Sequence, residues 1–350
     1  MEATKTALAE EQKQQPSQKQ RDRDSQAAQG DQSRLNDPTN IDDLRIAQLV
    51  TFIEEADAVV VGGASGMSAA GGDSWYDVNP TFLKYYGDLY EKLGPQAGGI
   101  FPLLYYPFRE EGQRLLSLAR TMHMVEEAEV PQQYWDLKEL MEGKEAFYLT
   151  TNQDQLFRRV FGDDKTAFIQ GDWGWLQCSG PCHDALYSNK DFVEHALRDA
   201  HDCTIPEQDF PRCPRCGRVM TVWARSPEFL EGTMYAEQYR KLNSFLQDHL
   251  DKKVLFLELG VGAMTPMFIK EPFWNYTYQW PGGAHYVPIT LGHAVVPDEI
   301  TDRSLAFDAE IDKVLHRAAE LKRGECFSTQ EESFKQEVPI DCSDAIGVGW

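Results

Sequence analysis

The sequence has no run approaching the roughly 20 uninterrupted apolar residues needed to cross a bilayer, and no apolar stretch of a secretory signal at its N-terminus. Neither a membrane span nor export is expected. Positive charge is scarce, with 34 Lys plus Arg against 56 Asp plus Glu and a formal net charge of −22. Such a surface repels nucleic acid and anionic lipid, so neither is an expected partner. Cysteine is sparse as well, at 7. Four of these form two close pairs, Cys178 with Cys182 and Cys213 with Cys216, while Cys203, Cys326 and Cys342 stand apart. An odd count with clustered pairs points to metal before disulfides, and to a reducing compartment, here the cytoplasm.

Apolar material is not lacking. Hydrophobic residues make up 42% and aromatics 11% of 350 residues, enough for one large α/β domain with an insertion, or for two units. Residues 1–37 are an exception: dominated by Gln, Lys, Glu, Asp, Arg and Ser, they read as a disordered tail, and their scattered acidic residues disfavour a transit peptide. Asn40 is an expected N-cap, after which Ile46, Leu49, Val50 and Ile53 describe an amphipathic helix.

Ala58-Val59-Val60-Val61 then reads as a strand buried on both faces, and 146–149, 167–169 and 254–257 repeat the pattern with helical segments between most of them. A last helix carries Ile311, Val314, Leu315 and Ala318 on one stripe. This alternation predicts a doubly wound, mostly parallel, Rossmann-like α/β sheet, with ligands beyond the carboxyl ends of its strands. Two segments interrupt it: 72–145, rich in aromatics and helical patterns, reads as a small helical module, and 174–225, which holds both cysteine pairs and little strand or helix signal, as an inserted zinc-ribbon-like module. After Gly324 the chain turns polar, so 324–350 is expected to be peripheral. There is no internal repeat.

The chemistry-bearing motifs sit at strand ends. After the first strand comes Gly62-Gly63-Ala64-Ser65-Gly66-Met67-Ser68, whose small residues suit either a pyrophosphate under backbone N–H groups or simply a close-packed strand-to-helix turn. Gly260-Val261-Gly262 follows another strand in the same way. Thr150-Thr151-Asn152-Gln153-Asp154 and Gln170-Gly171-Asp172 end two further strands, delivering polar groups to one crevice or merely making turns. Cys178, Cys182, Cys213 and Cys216 form two knuckles suited to a closed, structural Zn²⁺ site, with the neighbouring His183 a possible substitute ligand. No acidic residue stands clearly about 20 residues beyond the first glycine turn, which disfavours a hydride-transferring dehydrogenase.

In this order the motifs resemble the sirtuins over about residues 40–320, and most closely the class M branch, microbial sirtuins linked to protein ADP-ribosylation. Gly63-Ala64-Ser65-Gly66-Met67-Ser68 approximates the sirtuin Gly-Ala-Gly-x-Ser turn, and Ser68-Ala69-Ala70-Gly71 is similar to the class M run. The cleft Asn and Asp of the family fall on Asn152 and Asp154, the Cys-Pro-x-Cys-Gly knuckle on Cys213–Gly217 with Arg225 beyond it, and the Glu-Leu-Gly-Val-Gly turn on Glu258–Gly262. Where deacylating sirtuins carry a catalytic His, this chain has Gln170, as class M chains do. Two positions depart from the family: the loop Asp73-Ser74-Trp75-Tyr76-Asp77 lacks an Arg, and Tyr286–Leu291 offers Thr290 where an Asn often meets the adenosine.

The resemblance implies a sirtuin fold over 38–323, NAD as cofactor and a structural zinc. An amide cannot take the ribose proton that deacylation requires, whereas breaking the nicotinamide bond needs positioning and charge stabilisation. It therefore implies an NAD-dependent protein ADP-ribosyltransferase. Asn152 and Gln170 would orient the ribose, Asp154 and Asp172 would stabilise developing positive charge, and Arg225 would grip a carboxylate or phosphate. Gly62, Gly63, Ala64, Ser65, Gly66, Ser68, Gly260, Val261 and Gly262 would line the cofactor site. The implied acceptor is a lipoylated carrier resembling glycine-cleavage H protein, with a macrodomain hydrolase reversing the modification. A lysine deacylase or delipoylase, and a non-catalytic NAD or ADP-ribose sensor, are the alternatives. Trp75, Tyr76, Phe82, Tyr85, Tyr86, Phe101, Tyr105, Tyr106 and Phe108 read either as core of the helical module or as the wall of an acceptor channel.

Overall fold

The computed structural model describes residues 37–72 and 74–324. The expected N-terminal tail up to residue 36, the C-terminal segment beyond 324, and with it Cys326 and Cys342, lie outside the described residues. Among those described, no helix is long and apolar enough to cross a membrane.

The chain opens with helix α1 (Asp43–Glu55), whose buried face carries Ile46, Leu49 and Ile53. Its cap is Asp42, whose carboxylate accepts the Arg45 N–H; Asn40, the expected cap, lies outside the helix and donates to Asp42 at 2.7 Å. Strand β1 (Ala58–Gly63) follows, then the one-turn helix α2 (Ser65–Ala69). Helices α3 (Pro80–Leu93), α4 (Ile100–Leu104), α5 (Glu111–Glu127) and α6 (Gln132–Leu140) lead to β2 (Glu145–Thr150), α7 (Leu156–Phe161) and β3 (Thr166–Phe168). Next come β4 (Gly171–Cys178), β5 (Tyr187–Ser188), α8 (Lys190–Asp199) and β6 (Met220–Ala224). The chain then runs through α9 (Thr233–Asp248), β7 (Val254–Leu259), α10 (Lys270–Gln279), β8 (Ala284–Ile289) and α11 (Ile311–Lys322).

Five strands make a parallel sheet in the order β3-β2-β1-β7-β8, with Val59 level with Ala146 and Leu255. Because β1, β2 and β7 are buried on both faces, successive residues feed two cores. Val59, Val61, Tyr148 and Leu257 pack under α1, α6, α7 and α11, while Val60, Phe147, Leu149 and Phe256 pack under α9 and α10. This is the expected doubly wound sheet. Strand β8, the one the apolar-run pattern missed, is an edge strand, which is where its Pro288 is tolerated.

A smaller lobe gathers a third core from α3, α4, α5 and α8 around Trp173, Leu176, Cys178 and Cys213. Two sequence boundaries shift here. Residues 132–140, expected within the 72–145 helical module, form α6 and pack on α11 and α7 in the large core, because Tyr134, Leu137 and Leu140 face the sheet. The cysteine-bearing segment is more regular than 174–225 suggested: it is a three-stranded antiparallel sheet, β5-β4-β6, with α8 set against α5.

Candidate active site

A cleft of about 1130 Å³ runs between the two lobes at the carboxyl ends of β1, β2 and β3. Its floor is the turn after β1. Ala64, Ser65, Gly66 and Ser68 line it, whereas Gly62 and Gly63 do not. A Cβ on Gly62 would collide with Ile269 and Phe273, and one on Gly63 with Phe157, so these two glycines let helices close over both faces of the sheet. The second turn divides likewise. Gly260, at φ +68°, presses its backbone on Gly66, where an added Cβ would lie 2.6 Å from the Gly260 Cα, and its carbonyl accepts the Gly66 N–H at 3.1 Å. Val261 is buried, and of this trio Gly262 alone lines the cleft. The close-packing reading holds for Gly62, Gly63 and Gly260, and the ligand-facing one fits Ala64, Ser65, Gly66, Ser68 and Gly262.

Over this floor sits a polar network. Asn152 Nδ2 donates to the Ala64 carbonyl and to Ser68 Oγ, both at 3.0 Å. Ser68 Oγ donates to Asp154 Oδ2 at 2.5 Å, and the Tyr134 hydroxyl lies 3.3 Å from the same oxygen of Ser68. Asp154 Oδ1 accepts the Leu156 N–H at the start of α7. Burial pushes the Asp154 carboxyl above the usual carboxylate range against these hydrogen bonds, and raises the Tyr134 phenol in the same way. Both Asn152 and Asp154 line the cleft.

Gln170 lines it as well, and its carboxamide makes no hydrogen bond with the described residues. Its backbone is tightly held: the carbonyl accepts from Gln153 Nε2 at 3.0 Å and from the Arg225 N–H at 2.9 Å. Gly171 follows at φ +87°, where a Cβ would run into the Trp223 carbonyl, so glycine is required after Gln170. Arg225 reaches the cleft between Glu231, at 2.6 Å, and the Tyr235 hydroxyl, at 3.1 Å, with its guanidinium 4.3 Å from the Phe229 ring centre.

Asp172 is placed differently from the expectation of a charge facing the ribose. It is 1% exposed, pairs with Arg158 at 2.7 Å and accepts the Gly174 N–H at 2.7 Å, outside the cleft wall. Burial raises its pKa while Arg158 opposes the shift. Asp172 therefore fixes the start of β4, immediately beyond Gln170. Thr290 is also buried, its N–H donating to the Phe307 carbonyl, while its neighbour His293 lines the cleft.

Gln153, expected in the crevice as part of the Thr150–Asp154 segment, lines the cleft and accepts from Trp173 Nε1 at 3.2 Å. Arg114, which the sequence did not single out, projects from α5 beside Ser117 and Leu118. Arg114 has no motif around it; an Arg three residues after Glu111 reads as a surface helix pair, which it also is, at 2.5 Å. The aromatics split between both readings: Phe82 and Tyr86 are core, whereas Trp75, Tyr76, Phe101, Tyr105 and Phe108 wall the cleft.

In the small lobe the Sγ atoms of Cys178, Cys182, Cys213 and Cys216 all lie within 4.8 Å of one another, and none is in a disulfide. Four thiols from two knuckles at this separation match tetrahedral thiolate coordination with bonds near ~2.3 Å. His183 replaces none of the four, since the ligand cluster is made of the cysteines alone: its Nδ1 lies 3.1 Å from Cys182 Sγ and its Nε2 2.6 Å from the Tyr187 hydroxyl, a supporting contact.

No family model matches the chain. Among curated proteins it is similar to a "Protein ADP-ribosyltransferase" of Staphylococcus aureus, 33% identical over 276 residues, which is 77% of this chain and 85% of that one. It is also similar to a "Probable bifunctional ADP-ribose hydrolase/ADP-ribosyltransferase" of Fusarium oxysporum f. sp. cubense, 28% identical over 172 residues, 47% of this chain and 29% of that much longer one. In fold it is similar to a sirtuin solved to explain sirtuin substrate affinity, with a TM-score of 0.50 at 16% identity over 78% of this chain and 98% of that one. Identity to the staphylococcal transferase over most of both chains, on a sirtuin fold whose cleft brings Asn152, Asp154 and Gln170 together, establishes that the chain belongs to the sirtuin-type protein ADP-ribosyltransferases.

Proposed function

We propose that the enzyme takes NAD as donor and transfers its ADP-ribose to a side chain of a lipoylated carrier protein resembling glycine-cleavage H protein, with a macrodomain hydrolase removing the mark. The cleft suits such a donor. Its 1130 Å³ exceeds the usual small-ligand pocket, and its floor at Ala64–Gly66 bears no bulky side chain. Arg114 and Arg225 stand along its walls, each held by a glutamate, Glu111 and Glu231, and supply guanidinium donors suited to a diphosphate. NAD supplies the ADP-ribosyl group and nicotinamide as the leaving group. The chain's part is to bind, orient and keep water out.

The observation that carries the reading is the character of Gln170. It stands in the cleft with a carboxamide unbonded among the described residues, beside a network that locks Asn152, Ser68 and Asp154, and it has no atom that can accept a proton at neutral pH. A ribose hydroxyl would be held there and not deprotonated, which suits transfer of the whole ADP-ribosyl group and not acyl removal. Asp154, ionised, would face positive charge as it develops on the ribose. The aromatic wall of Trp75, Phe101, Tyr105 and Phe108 fits the apolar arm of a lipoyl carrier. The four cysteines would hold zinc and keep the small lobe folded around Trp173. Clustered free thiols support a cytoplasmic, reducing location.

Intact-mass spectrometry of purified enzyme, NAD and lipoylated carriers tests the proposal: one ADP-ribosyl mass on the carrier is expected, with nicotinamide released in step. Release of O-acyl-ADP-ribose from acylated lysine peptides without labelling of any carrier would establish the deacylase instead. NAD binding by calorimetry with no nicotinamide release under any acceptor would establish the sensor.

A further inference from the structure

Beneath the far end of the cleft lies a charged cluster that the transfer chemistry does not use. Glu258, fully buried near the end of β7, accepts from Lys270 Nζ at 2.5 Å through one oxygen and from the Tyr286 hydroxyl at 2.5 Å through the other. Lys270 is itself 5% exposed and spends a further donor on the His293 carbonyl at 3.1 Å. A buried ion pair is a poor source of stability compared with apolar packing, so its presence calls for another explanation.

That explanation is positional. Lys270 opens α10, so its backbone terminates the cleft lip that runs through Gly262, Met264, Thr265 and Phe268. Its ammonium fixes the opposite lip, at His293. One lip is a loop with a single 3-10 turn at Pro266–Phe268 and the other is irregular, and without Lys270 the described residues offer no side-chain hydrogen bond between them. Tyr286 comes from the edge strand β8 and Glu258 from its inner neighbour β7, so the cluster ties both lips to the rigid sheet.

We infer that Lys270 is a positioning residue which, oriented by Glu258 and Tyr286, holds the two lips at the separation that grips one end of the donor. The inference rests on NAD as the donor. Glu258→Gln with Lys270→Met removes both charges together, so no orphaned ion is left to unfold the core. In that double variant the KM for NAD should rise ~10-fold with kcat of nicotinamide release within ~3-fold, the pattern of lost ground-state binding. Amide hydrogen exchange should speed up in 262–268 and 290–296 and stay slow in β1 and β2. Lys270→Arg, which keeps a donor for the His293 carbonyl, should restore most of the affinity.

A folded double variant with unchanged KM, or with both lips still protected, would overturn the inference. If the parent enzyme releases no nicotinamide from NAD, it is the donor assignment that fails, and the exchange comparison still decides whether Lys270 anchors the lips.

Discussion

Ser68 and Asp154, 86 residues apart in the chain, meet through a 2.5 Å hydrogen bond that joins the β1 turn to the end of β2. Burial holds the Asp154 carboxyl above its ordinary range in spite of that bond. A carboxyl whose pKa is higher in the folded than in the unfolded chain stabilises the fold below its unfolded value near ~3.9, and that contribution is lost as pH rises through the folded value. At pH 7 the ionised Asp154 is thus a liability for folding that a neutral isostere lacks. Asp154→Asn should melt no lower than the parent at pH 7. Its transfer rate should fall ~100-fold, because the group facing developing charge is gone. Calorimetry from pH 7 to pH 4 should show the two melting curves converging as the parent's carboxyl takes up its proton.

Gln170 separates local stability from catalysis even more sharply. Its side chain is bonded to nothing among the described residues, while its backbone is fixed by Gln153 and Arg225. Gln170→Ala should leave the melting temperature within ~1 °C, as substitutions away from bonded or packed features do. It should reduce transfer ~10- to 100-fold through misplacement of the ribose. Gln170→His puts a group with a pKa near ~6.5 at the same place, so lysine deacylation dependent on NAD should emerge and grow between pH 6 and pH 8 as the imidazole loses its proton. Peptide-based product analysis would detect it.

The cysteine cluster couples folding of the small lobe to the cleft. Cys178 and Cys213 belong to the same core as Trp173, whose indole N–H is held by Gln153 in the cleft wall. Elemental analysis should find one zinc per chain. Stripping it with a chelator, or replacing Cys213 by Ser, should lower the melting temperature and abolish transfer, since a thiolate site of this kind supplies folding free energy directly. A zinc-free protein with full activity would contradict the assignment.

How much of this was legible in the sequence follows from what carries each feature. The strands at 58–61, 146–149 and 254–257 announced themselves because burial on both faces demands unbroken apolar runs, and the motif residues Asn152, Asp154 and Gln170 because turns at strand ends are short and local. The β8 strand was obscured by Pro288, which only an edge position accommodates. Asp172 stands in the motif but its direction depends on Arg158, a partner 14 residues away on another element that periodicity does not reveal. Apart from Gly262, the lip residues and Arg114 come from segments and a helix brought in by tertiary packing, with no spacing of their own to give them away. The same holds for Tyr134, a helix residue whose hydroxyl reaches Ser68 only because α6 packs on the sheet and not in the small lobe.

Arg114 supplies the last test, because its two relationships have opposite consequences. Its ion pair with Glu111 lies within one helix turn and both side chains are a third or more exposed, 33% and 42%, a setting in which such pairs contribute less than ~1 kcal/mol. Arg114→Gln should therefore melt within ~2 °C of the parent. In the cleft, however, Arg114 and Arg225 are the two guanidinium groups lining the wall among the described residues, and the loop at 74–77 brings no cation of its own. Removing one should raise the KM for the anionic donor ~10-fold and flatten its dependence on salt, since the parent's attraction is screened over about 10 Å at 0.1 M and the variant has less of it to lose. Arg114→Lys should recover part of the effect, as a point charge without the planar fork. Glu111→Gln makes the complementary prediction: freed from its bidentate partner, Arg114 gains reach into the cleft, and the donor KM should hold or fall. Steady-state kinetics across an ionic-strength series on the three variants would decide it, and equal salt slopes in parent and Arg114→Gln would assign Arg114 to the surface of the helix alone.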